Sequence, residues 1–144
     1  STWSLGAGGG DYLNFTLQLA GSLAPGDCFV VGGANSTADN ALPSFDQQVG
    51  TGSATPYLVL QNSGSTADAL GLFDVPEVAL TSASIPIDSV VYGSTNDDEF
   101  SDPDGNISAV DVGDAPSGSS VEQSTTGWAI QSSPSPGDCS ALLN

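Results

Sequence analysis

Between Asn96 and Asn106 the chain runs NDDEFSDPDGN, with carboxylates at Asp97, Asp98, Glu99, Asp102 and Asp104 and an amide oxygen at Asn106. Hard oxygens gathered in a short polar loop are the ligands Ca2+ takes. Asp111 and Asp114 follow closely enough to help. Two readings stay open on sequence alone: a calcium loop, and an acidic turn that only meets water.

The D-P-D-G-N portion shares its start with an EF-hand loop, but no Glu closes it and no helical pattern flanks it, which leaves an irregular site. Paired carboxylates also serve glycoside hydrolysis, where two face each other across a cleft and burial raises one pKa. Glu77 and Glu122 are further candidates, yet both sit among strand-like residues that read as exposed strand positions. No enzyme is expected.

Composition removes most other chemistry. The 144 residues include no Lys, Arg or His, and 17 Asp and Glu give a formal charge of -17. Without His there is no Ser-His-Asp triad and no imidazole zinc site, and without Lys no Schiff base or P-loop lysine. Nucleic acid is excluded as a partner, since nothing neutralises phosphate. Membrane insertion is not expected, because no apolar run approaches the roughly 20 residues that span a bilayer. Hydrophobic residues still make up 38% of the chain, enough for a packed fold.

Cys28 and Cys139 permit one intramolecular disulfide, and with the Ser, Thr and Gly content they point to an oxidising, extracellular or cell-surface setting. A bridge closing a loop of about 110 residues contributes roughly 4–5 kcal/mol in the chain-entropy model. The other reading is two buried thiols. With no secretory leader in view, the sequence reads as a processed chain. Three sequons, at Asn14, Asn35 and Asn106, are glycosylation candidates, with Asn35 the best placed on its exposed-looking loop. Trp3, Trp128, Tyr12, Tyr57 and Tyr92 offer rings for surface glycans, although aromatics spread among strands usually belong to a core.

The elements that must position these groups are strands. In YLNFTLQL, Leu13, Phe15, Leu17 and Leu19 share one face and Tyr12, Asn14, Thr16 and Gln18 the other. Further short apolar runs are CFVVGG, YLVLQ, ADALGLF, EVAL, DSVVYG, ISAVDV, SSVEQ and GWAI, with Gly, Pro, Asn, Asp or Ser between them. One short helical turn is expected around Leu42 to Phe45. The pattern predicts an all-β fold, a sandwich or barrel of short, mostly antiparallel strands, in a single domain over residues 1–144.

In order along the chain, LAPGDCFVVGG, LQNSGSTADALGLFD, IDSVVYG, DAPSGSSVEQ and GWAIQSSPSPGDC resemble the bacterial lamin-tail domain, over residues 3–139. That resemblance implies an immunoglobulin-like β-sandwich in secreted or surface proteins, acting in binding and assembly without catalysis. Where the family continues its SGSS motif with Glu-Arg, this chain has Glu122-Gln123. Complete members begin with one or two strands ahead of the Trp-x-Leu segment, here Trp3-Ser4-Leu5, so the resemblance implies an unfilled strand position. The expectation is an extracellular structural protein that self-associates through a β-edge. The alternative is a calcium-dependent adhesion or carbohydrate-binding module.

Overall fold

The computed structural model describes residues 2–33, 45–49, 60, 65–135 and 137–139. The fold is all-β. Its strands are β1 (Ser4–Gly8), β2 (Phe15–Gln18), β3 (Val31–Gly33), β4 (Gln47–Val49), β5 (Asp68–Phe73), β6 (Asp88–Tyr92), β7 (Ser120–Ser124) and β8 (Gly127–Gln131), with one 3-10 turn at Glu77–Ala79. The chain divides into two compact units, residues 1–19 with 59–114 and residues 20–58 with 115–144.

The first unit holds a four-stranded antiparallel sheet in the order β2-β1-β5-β6. Cross-strand pairs Gly6↔Gly71 and Gly8↔Ala69 put small residues side by side on one face of its centre. Tyr12 and Phe73 fill the space that Gly6 and Gly71 leave. A Cβ on Gly6 would stand 2.5 Å from the Tyr12 carbonyl oxygen and 3.1 Å from the Phe73 ring. A Cβ on Gly71 would meet both rings at 3.0 Å. Tyr12 stands edge-on to Phe73 and to Phe100, at centroid separations of 5.4 and 5.1 Å. Ala67, Ala69 and Val91 complete this core.

Both edges of the sheet are closed. Beside β6, Asp111 donates its N–H to the Val91 carbonyl and accepts the Val91 N–H at Oδ2, both at 2.8 Å, while the Gly93 N–H reaches the Val112 carbonyl. Beside β2, the Glu77 carboxylate accepts the Thr16 hydroxyl at 2.7 Å and the Gln18 N–H at 3.1 Å. In return the Glu77 N–H donates to Gln18 Oε1 at 2.9 Å.

In the second unit β3 pairs in parallel with β4, and Asp46 Oδ2 accepts the Val30 N–H at 2.8 Å just ahead of that pair. The disulfide Cys28–Cys139 ties the approach to β3 to the C-terminal segment, with Cα atoms 6.0 Å apart. The β7–β8 hairpin closes through Thr125 and Thr126, with Gly127 at φ +116°, a value that favours glycine.

Three expected strands come out differently. YLNFTLQL is a strand only from Phe15, because Asp11 Oδ1 accepts the Leu13 N–H at 2.8 Å and bends Tyr12 to Asn14 into a turn. Tyr12 therefore joins the core instead of facing away from it. EVAL follows Pro76 and coils into the 3-10 turn, leaving Val78 95% exposed. ISAVDV carries only the bridges Ser101↔Ile107 and Tyr92↔Val112. YLVLQ apart from Leu60, and the helical turn at 42–45 apart from Phe45, lie outside the described residues.

Phe73→Ala removes the larger part of the aromatic packing above the glycines and is expected to destabilise by about 3–5 kcal/mol. Val78→Ala, on the bare outer surface of the 3-10 turn, should change stability by no more than about 0.5 kcal/mol. Urea unfolding of the two variants checks the contrast, and equal effects would show that the core lies elsewhere.

Candidate functional site

Asn96 organises the acidic loop. Its Nδ2 donates to the carbonyls of Phe100 (2.9 Å) and Ser108 (2.8 Å), and its Oδ1 accepts the Phe100 N–H (2.9 Å). Phe100 is buried and fixes the loop to the core beside Tyr12, whose hydroxyl donates to the Ser101 carbonyl at 2.9 Å. Beyond Ser101 the chain reverses in a second, tighter turn. Asp102 Oδ1 accepts the N–H groups of Asp104 and Asn106, both at 2.9 Å, and the Asp102 N–H donates to the Asn106 carbonyl at 2.8 Å.

The six residues singled out for metal binding therefore divide. Asp98 and Glu99 border a depression of about 70 Å³ together with Asp11, Thr81 and Ser82. Tyr12, Phe100 and Ser101 supply the remaining wall. Asp97 accepts the Thr95 hydroxyl at 3.0 Å. Asp102, Asp104 and Asn106 belong to the separate turn, where one carboxylate oxygen is already engaged by backbone N–H groups. Asp111 and Asp114 lie along β6, and Asp114 Oδ1 is buried with no hydrogen-bond partner among the described residues. Among the described residues no three Asp, Glu, Cys or His side chains gather in a way that holds a metal ion.

Asp11, Thr81 and Ser82 were not singled out from the sequence. Asp11 reaches the depression because the turn it caps carries it there, and no spacing motif signals that. Glu99, at φ +59°, is the one non-glycine residue with positive φ among the described residues.

The remaining candidates are spread out. Glu77 closes the β2 edge and is not on a strand. Glu122, on β7, accepts the Ser120 hydroxyl (2.6 Å) and the backbone N–H and hydroxyl of Ser135 (3.0 and 2.8 Å). The Ser120 hydroxyl, followed by the Ser135 N–H, holds its carboxyl below the usual range, the opposite of a general acid. Trp3 is partly exposed beside β1, Trp128 lies on β8, Tyr12 is core, and Tyr57 and Asn35 lie outside the described residues.

No protein-family model, no curated protein and no solved structure matches this chain. Among the described residues no helix is long and apolar enough to cross a membrane, and the disulfide fits an oxidising environment.

Burial pushes the Tyr12 phenol up to about 12, against a hydrogen bond with Ser89 and with help from Asp111 and Asp102. Burial, then Asp68 and Asp114, push Tyr92 up to about 12 as well. Both phenols keep their protons longer in the folded chain than in the unfolded one. Their contribution is complete below pH 10, and it is lost as pH rises from 10 toward 12. The melting temperature is expected to fall across that window, less steeply in Tyr12→Phe. A flat profile would contradict the burial of both rings.

Proposed function

We propose that the chain is an extracellular, non-catalytic building block that associates with copies of itself through a β-edge. The β7–β8 hairpin carries this reading. It is a two-stranded sheet in which all ten residues are partly or fully exposed, and such a sheet is marginal in water by itself. Closing the hairpin at Ser124↔Gly127 turns the backbone N–H and C=O groups of Trp128 and Ile130 outward, away from β7. Among the described residues no backbone hydrogen bond reaches that outer edge of β8. A strand from another copy would pair there and cover Ile130.

The ordered motifs resembling the lamin-tail family, with its immunoglobulin-like sandwich and surface setting, support the same reading. The edge differs from the N-terminal one that the resemblance implies: β2 is closed by Glu77, whereas the outer edge of β8 meets no strand among the described residues. Repeating a contact that does not close on itself produces a filament. The charge of -17 opposes contact between copies, so association strengthens as salt rises.

Ile130→Pro tests this. Proline there deletes an outward N–H while sparing the ladder to β7. The wild type is expected to form filaments in negative stain and to sediment as large species at moderate salt. The variant should stay monomeric with unchanged circular dichroism. A wild type that remains monomeric at every salt concentration, or a variant that assembles equally well, would defeat the proposal.

The alternative, a calcium-dependent adhesion or carbohydrate-binding module, draws on the depression bordered by Asp11, Asp98 and Glu99. On that reading millimolar Ca2+ raises the melting temperature beyond Na+ of matched ionic strength, and Asp98→Asn with Glu99→Gln abolishes the difference. An equal response to both ions removes it.

A further inference from the structure

We infer that Asn106 is the acceptor of an N-linked glycan, a modification that rests on the extracellular reading because the sugar donor is met during export. The sequence contains three Asn-x-Ser/Thr triplets, and the fold treats them unequally. Asn35 lies outside the described residues.

Asn14 is exposed as well, but its side chain and the hydroxyl of its triplet are engaged by the sheet. A Cβ on Gly8 would stand 2.5 Å from Asn14 Cβ and 2.8 Å from its Cγ, so the side chain lies flat on β1. The hydroxyl of its triplet, on Thr16, is bound to the Glu77 carboxylate at the closed sheet edge.

Asn106 is placed in the opposite way. Its backbone N–H is held by Asp102 Oδ1 and its carbonyl by the Asp102 N–H, so the main chain is fixed. Its side-chain amide is exposed and makes no hydrogen bond to any described residue. Gly105, at φ +78°, turns the chain so that Asn106 stands at the outside of the loop. Ser108, which completes the triplet, donates its hydroxyl to the neighbouring Ala109 carbonyl at 2.7 Å and to no other described residue. Ile107 is 61% exposed and Ile85, which lies against Gly105, is 52% exposed. The C–H face of a first sugar on Asn106 can cover apolar surface there that the protein leaves open.

In the transfer, Asn106 Nδ2 attacks the anomeric carbon of a lipid-diphosphate-linked oligosaccharide. The C1–N bond forms, the C1–O bond to the diphosphate breaks, and the lipid diphosphate leaves with the bonding pair. The amide proton passes to a base of the transferase.

Composition makes the test direct. A protease that cuts after Glu cleaves at Glu77, Glu99 and Glu122, so Asn106 falls in peptide 100–122 while Asn14 and Asn35 fall in peptide 1–77. Mass spectrometry of protein taken from its native source should find peptide 100–122 carrying hexose or N-acetylhexosamine increments. Asn106→Gln and Ser108→Ala, expressed in the same source, should each lose them with unchanged circular dichroism. An unmodified 100–122 peptide from protein recovered outside the cell overturns the inference and leaves the extracellular reading intact. Sugar confined to peptide 1–77 also overturns it. Protein retained in the cytosol with free thiols and no sugar overturns both.

Discussion

Everything in the first unit depends on the fit of Tyr12 over the glycines of its own sheet. Tyr12 needs Gly6 against its carbonyl and Cβ, Gly71 beneath its ring, Phe73 and Phe100 at its edges, and the Ser101 carbonyl at its hydroxyl. These contacts join the turn between β1 and β2, the central strands and the acidic loop. The loop that carries the candidate chemistry therefore takes its shape from an aromatic packing problem. The carboxylates at its rim hang from Phe100, and they hold their relative positions only while Phe100 stays against Tyr12.

A chain without basic side chains must also stabilise its acids by other means. Asp11, Asp46, Asp102, Asp111, Glu77 and Glu122 each accept at least one backbone N–H, and Thr or Ser hydroxyls add to Glu77 and Glu122. Hydrogen bonds to an ionised acceptor are stronger than neutral ones, and they need no counter-charge. Each bond also satisfies an N–H at a turn or sheet margin that would otherwise need water. Acidic residues here do the structural work that Lys and Arg share elsewhere: they finish turns, close edges and brace the segment before β3.

How far the fold could be read from sequence depended on whether local chemistry agreed with the hydrophobic pattern. DSVVY and SSVEQ with GWAIQ are short runs bounded by turn residues, and they are strands where expected. YLNFTLQL misleads because its alternation continues through Tyr12 and Asn14, while Asp11, one residue earlier, already commits the chain to a turn. EVAL has strand-forming residues, yet Pro76 and the docking of Glu77 on Gln18 decide its shape. At the site, Asp98 and Glu99 were visible as members of an acidic run, because composition alone shows that. Asp11, Thr81 and Ser82 were not visible, since only the folded chain brings residues so distant in sequence to one depression.

The disulfide has a mechanical meaning for a protein of this kind. Cys28 and Cys139 are separated by 111 positions, and everything between them is covalently looped. Tension arriving from outside that loop crosses directly from one sulfur to the other. Roughly 370–400 Å of contour length is thereby withheld from extension, at about 3.3–3.6 Å per residue. Strands β3 to β8 lie inside the loop, and only β1 and β2 lie outside it. A pull on the chain ends therefore falls on β1 and β2, and the segment between the two cysteines keeps its length.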